Sequence, residues 1–112
     1  MPDEFRPGEM VWASIAFRRE GRVEVKVRPA LVLEVVTGGV RVAHGTWTAR
    51  EQPHVCVRSA ERAGLAWQLT ADTWFYGATQ TVAADALRRI VPPPTGRLAD
   101  PKVIVAIRAL AT

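Results

Sequence analysis

The chain contains a single cysteine, Cys56. That excludes an internal disulfide framework and fits a reducing cytoplasm. Lysine is nearly absent, at two residues against thirteen arginines. No apolar run approaches the roughly 20 residues that span a bilayer. The opening Met1-Pro2-Asp3-Glu4-Phe5-Arg6 lacks the basic-then-apolar order of a signal peptide, so no membrane association is expected. One cysteine and two separated histidines, His44 and His54, do not make a closed zinc site. No glycine-rich phosphate loop leads into a helix. Neither metal nor cofactor is expected. There are no repeats, no low-complexity tract and no linker, so residues 1–112 are expected to form one domain with one modest core.

What is present points to a globular protein. Hydrophobic residues make up 48% of the chain and charged residues 23%, a balance that folds rather than stays disordered. The net charge is +4, which supports a polyanionic partner without establishing one. Arginine, the dominant cation, offers a planar fork suited to bidentate phosphate contacts.

The patterning is mostly that of strands. Val11, Ala13, Ile15 and Phe17 alternate with Met10, Trp12, Ser14 and Ala16. Arg18-Arg19-Glu20-Gly21-Arg22 reads as a turn, after which Val23, Val25 and Val27 alternate with Glu24, Lys26 and Arg28. A hairpin is expected there. The run from Pro29 to Val36 reads as a strand buried on both faces, with Pro29 as its first residue because proline cannot donate to a ladder. Thr37-Gly38-Gly39 is read as a three-residue turn, followed by strands at Val40–His44 and His54–Arg58, the latter packing Cys56. Ser59–Gly64 reads as one helical turn, Leu65–Tyr76 as a strand broken near Thr70–Asp72, and Thr81–Val91 as a strand end, a short helix, or both. Pro92–Gly96 is a stiff loop. Asp100-Pro101 predicts a helix start, after which Val103, Ile104, Ile107, Leu110 and Ala111 share one face. The β-branched Val103-Ile104-Val105 makes strand the rival reading. Together these elements predict a mainly β, α+β chain: a small, strongly bent antiparallel sheet or barrel with a C-terminal helix.

Several motifs occur in a telling order. They are Pro7-Gly8-Glu9-Met10-Val11-Trp12, Arg28-Pro29-Ala30-Leu31-Val32-Leu33 and Val42-Ala43-His44-Gly45-Thr46-Trp47-Thr48. Ala63-Gly64-Leu65 with Thr73-Trp74-Phe75 follows, and then Leu87-Arg88-Arg89-Ile90 with Gly96-Arg97-Leu98. The chain thereby resembles the PemK/MazF family of toxins from type II toxin–antitoxin pairs. No single motif is specific; their order and spacing over one small domain carry the resemblance. Two features depart from the family. Gly21–Val27 is strand-like where many members have a glycine-rich, glutamate-bearing loop, and the later Asp-Gln pair of many members is missing.

The resemblance implies a compact SH3-like β-barrel, a two-fold homodimer, and a cytoplasmic endoribonuclease that cleaves single-stranded RNA without metal. A cognate antitoxin would block its groove. Arg28 matches the family's catalytic arginine. A guanidinium suits the non-bridging phosphate oxygens but keeps its proton at neutral pH, so electrostatic stabilisation is the expected role, with proton donation as the alternative. Thr46 matches the active-site hydroxyl, with Thr48 next if the register slips and a simple strand-end turn as the alternative. Glu24, four residues before Arg28, is a base candidate or a solvated ladder residue. His44 and His54 flank the active loop; imidazole suits acid–base work, and a partly buried structural histidine is the competing reading of each. Trp12 and Trp47 are candidates for stacking on unpaired bases. Arg18, Arg19 and Arg22 are candidates for steering RNA. Trp67, Trp74 and Phe75 are assigned to core or dimer interface. Two alternatives remain open: a non-catalytic small-barrel module binding a peptide or nucleic acid, and a gyrase-targeting toxin of related fold. The absence of a terminal aromatic in Ile107-Arg108-Ala109-Leu110-Ala111-Thr112 counts against the last.

Overall fold

The alternation that follows Glu9 forms strand β1 (Met10–Arg19), and the chain returns as β2 (Arg22–Val36). Only Glu20 and Gly21 lie between them, since Arg19 pairs with Arg22. Both have positive φ, 53° and 76°, as a type I′ hairpin turn requires. A computed structural model describes residues 5–57, 72–89 and 101–111. Within it follow β3 (Gly39–Thr46), β4 (Val55–Val57), β5 (Thr73–Val82), a 3₁₀ turn (Ala84–Ala86), β6 (Leu87–Arg89) and helix α1 (Pro101–Ala111). The strands form one antiparallel sheet in the order β4-β5-β3-β2-β1-β6.

Several expectations meet this arrangement directly. Residues 81–91 do contain both a strand end and a short helix, in that order. The helix signal at Pro101 prevails over the β-branched run. The turn after β2 is shorter than expected, because Gly39 pairs with Val36 and leaves Thr37-Gly38 as the loop. The strand assigned to Leu65–Tyr76 begins, among the described residues, at Thr73 and runs on to Val82. The helical turn at Ser59–Gly64, the loop at Pro92–Gly96, Trp67, and the motifs around Gly64 and Arg97 lie outside the described residues.

Pro29 is not the first residue of its strand. It stands in the middle of β2, opposite Trp12. Ala16 directs its backbone N–H and C=O away from β2, to the Gln80 side chain. The two-residue period of the ladder gives Trp12 the same orientation, so the nitrogen of Pro29 faces away from β1. On that side the pairing of β2 with β3 has just ended, at Ala30–His44. The missing N–H therefore removes no ladder bond. Pro29–Leu33 is buried while Arg22–Val27, Glu34 and Val35 are exposed, so Pro29 opens a buried middle segment, and the burial expected through Val36 ends at Leu33, where the bulge begins.

Two apolar clusters hold the sheet. One face packs Met10, Leu31, Leu33, Phe75 and Ile107 beneath α1, with Trp12, Val103 and Ile104 at its margin. The other gathers Val11, Ala13 and Ile15 of β1 with Ala30, Val32, Val42, Val82 and Leu87. Val82 of β5 and Ile15 of β1 share this cluster although two strands separate their own in the sheet, so the sheet is strongly bent. Gln80 spans the gap: its amide donates to the Ala16 carbonyl and accepts from the Ala16 N–H, each at 2.9 Å. At Leu33 a bulge adds one residue to β2, and the Leu33 carbonyl accepts from Arg108 of α1 at 2.6 Å. Arg41 donates to the Ala111 carbonyl at 3.3 Å, satisfying a helix-terminal acceptor. No described helix is long and apolar enough to cross a membrane.

Candidate active site

The β2–β3 register explains how two distant residues meet. Ala30 pairs with His44. The ladder ends at that pair, but the two-residue period keeps Arg28 on the face of Ala30 and Thr46 on that of His44, and Arg28 and Thr46 line one pocket. The β5 side of the site is set by an irregularity. Ala43 pairs with Thr79 and Gly45 with Phe75, so Tyr76, Gly77 and Ala78 all face the single residue His44. Such bulges re-aim side chains and bend the strand. Gly77 adopts φ 95° here, and a Cβ on it would collide with the Leu110 carbonyl. Glycine is thus required for the bulge to pass beneath α1.

The result is a pocket of about 180 Å³ lined by Phe17, Arg28, His44, Gly45, Thr46, Arg50, Trp74, Tyr76 and Ala78. Arg28 is half-buried between two rings, its Cζ 5.8 Å from the Phe17 centroid and 6.0 Å from that of Trp47. Among the described residues it has no carboxylate partner; the ion pairs there are Lys26–Glu24 and Arg41–Glu34. Thr46 Oγ1 accepts the backbone N–H of Thr48 at 3.3 Å. That uses one lone pair and leaves the hydroxyl hydrogen available to donate. His44 is half-buried and meets the Phe17 ring edge-on, at 5.6 Å and 87°. Burial, and secondly the charge of Arg28, hold its imidazole below the ordinary value of 6.5, so it is neutral at pH 7.

Two further residues complete the pocket. The Tyr76 hydroxyl accepts the backbone N–H of Arg50 and donates to the Thr48 carbonyl at 3.0 Å. The loop after β3 is thereby tied to β5. The Arg50 guanidinium lies over the Tyr76 ring, 5.4 Å from its centroid, and has no carboxylate partner among the described residues. Neither residue was legible as a site residue. Their approach depends on the β5 bulge and a hydrogen bond across 26 residues, which no local pattern carries.

The other candidates divide. Trp47 and Trp12 lie outside the lining; Trp47 is 46% exposed, contacts Trp12 edge-on at 6.5 Å, and its ring centroid is 6.0 Å from Arg28 Cζ. Trp74 lines the pocket, whereas Phe75 is fully buried in the core. Thr48 contributes backbone groups and lies outside the lining. Glu24 is solvent-exposed beside Lys26 at 4.0 Å, also outside it, as are Arg18, Arg19 and Arg22 at the exposed hairpin tip. His54 also lies outside: its Nδ1 is 2.9 Å from the Gln52 carbonyl oxygen and its ring abuts Tyr76. Cys56 is half-buried in β4. Among the described residues no group of three His, Cys, Asp or Glu side chains gathers where a metal ion would be held.

Chemically, the pocket offers two guanidiniums for an anion, a hydroxyl donor, a neutral imidazole and aromatic walls. No family model matches the chain, and no curated protein matches it.

Proposed function

We propose that this chain is a toxin-type endoribonuclease of the PemK/MazF kind, cleaving single-stranded RNA without metal in the cytoplasm and restrained by a cognate antitoxin. The reading includes an SH3-like barrel, which the bent six-stranded sheet and the Gln80 bridge to β1 support. It also includes a two-fold homodimer; Val23, Val25 and Val27, 62%, 65% and 49% exposed, are the apolar surface such a partner would cover. The observation that carries the function is the meeting of Arg28, which has no carboxylate partner among the described residues, with Thr46 in one aromatic-walled pocket.

In this reaction the ribose 2′-hydroxyl attacks the adjacent phosphorus and the 5′-oxygen leaves. Arg28 binds the non-bridging oxygens and opposes the charge that grows on them. Thr46 donates its free hydroxyl hydrogen to the same phosphate. Trp47 and the pocket aromatics hold an unstacked base, which a duplex cannot supply.

The test is incubation of the purified protein with single-stranded and duplex RNA in the presence of a chelator. Only the single strand should be cut, leaving a 2′,3′-cyclic phosphate and a 5′-hydroxyl. Activity lost to chelation and restored by Mg²⁺ would overturn the mechanism. A binding module without catalysis is the second reading, favoured by the regular β1–β2 ladder over residues 22–28, where the resemblance anticipates a glycine-rich loop. RNA bound but left uncut would select it.

A further inference from the structure

The pocket contains a chemical group that the Arg28–Thr46 scheme leaves unused. His44 lies on the face of Arg28 and Thr46, opposite the β5 bulge, and lines the same pocket. Its ring is oriented by the edge contact with Phe17. Among the described residues neither ring nitrogen has a hydrogen-bond partner. A half-buried imidazole with no hydrogen-bond partner among the described residues, beside a guanidinium with no carboxylate partner among them, is placed to exchange a proton with whatever Arg28 holds.

We propose that His44 is the general base of this site, taking the proton of the ribose 2′-hydroxyl whose neighbouring phosphate Arg28 binds. This rests on the ribonuclease reading. As the 2′-oxygen bonds to phosphorus, its proton passes to the free imidazole nitrogen. The bond from phosphorus to the 5′-oxygen breaks, and that oxygen takes a proton from water. His44 then returns its proton to solvent, so none is gained or lost over the cycle. The groups facing His44 favour its neutral form. Arg28 approaches from β2, with Lys26 of the same strand 6.0 Å from the Phe17 centroid; Arg50 comes from the loop and Tyr76 from β5. Among the described residues no carboxylate lines the pocket. Burial and Arg28 both lower the pKa of His44, so the base is ready at neutral pH.

The experiment is the pH dependence of cleavage of a single-stranded RNA oligonucleotide from about pH 5 to 8, the range in which histidines titrate. The parent should lose kcat on the acid side, with a midpoint below 6.5, the ordinary imidazole value. His44→Gln should lower kcat by about 10²-fold or more with little change in KM, and flatten the acid limb. His44→Ala should regain activity when imidazole is added, which a merely structural role would not produce. His54→Ala, outside the pocket, should keep the parent profile. If His44→Gln retains the parent's kcat and acid limb while Arg28→Ala is dead, the inference falls and the ribonuclease reading stands. A parent that cuts no RNA at any pH overturns both.

Discussion

Thr48 donates its backbone N–H to the Thr46 hydroxyl oxygen at 3.3 Å, so these two candidate hydroxyls have different standing. Thr46 has its oxygen anchored and its hydrogen free within the pocket. Thr48 supplies only main-chain groups. Thr46→Val should therefore reduce cleavage, by less than loss of Arg28, because water can replace part of a hydroxyl's role. Thr46→Ser should retain most of the rate, and Thr48→Ala should be near neutral. A Thr48→Ala loss equal to that of Thr46→Val would reverse the assignment.

Arg28→Ala should lower kcat by about 10²–10³-fold, the usual consequence of removing one donor that meets developing charge. Arg28→Lys should rescue poorly, since an ammonium cannot bridge two oxygens with a planar fork. Single-turnover cleavage separates this effect from RNA binding. A lysine variant as fast as the parent would argue that charge alone suffices.

Tyr76→Phe removes the hydroxyl that ties Arg50 and Thr48 to β5. Stability should fall by about 1 kcal/mol, as for one or two hydrogen bonds. On the proposed reading the KM for RNA should rise more than kcat falls, because the loop that carries Arg50, a second cation lining the pocket, is no longer held. Faster amide hydrogen exchange at Arg50 would report the loosening; unchanged exchange would refute it.

His44 also links stability to pH. Its pKa is lowered in the folded state by burial and by Arg28, from 6.5. Above that value both states hold a neutral imidazole. As pH falls through it, the unfolded chain takes up a proton that the folded chain resists, so stability is lost with falling pH until the folded value is passed. Urea denaturation of parent and His44→Gln should show the parent losing ground between about pH 7.5 and 5.5, around the ordinary imidazole range. Parallel curves would show that His44 is not perturbed.

Val25→Lys, at the centre of the exposed valine stripe, should turn a dimeric parent into a monomer without loss of helix or strand content. Sedimentation at micromolar concentration is the measurement. A parent that is monomeric there would remove the homodimer from the proposal.

The sequence alone determined the local elements. Alternation from Met10 to Phe17 assigned side chains to faces, Glu20-Gly21 made the hairpin, and Pro101 started the helix, because these signals act over a few residues. The motif resemblance singled out Arg28 and Thr46 before their meeting was visible. Tertiary structure decided the rest. Pro29 sits mid-strand because its nitrogen faces the end of the β2–β3 ladder, a matter of pairing rather than of the residue itself. Val23, Val25 and Val27 alternate like core residues yet remain exposed, on the part of β2 that pairs with β1 beyond its last pairing with β3. Tyr76 enters the pocket through a bulge whose two extra residues exist only relative to β3, and it ties the Arg50 loop to β5. Register and bulges arise between strands tens of residues apart, and each single-residue slip moves a side chain to the opposite face. That is why the pocket's pair was legible in the chain and its walls were not.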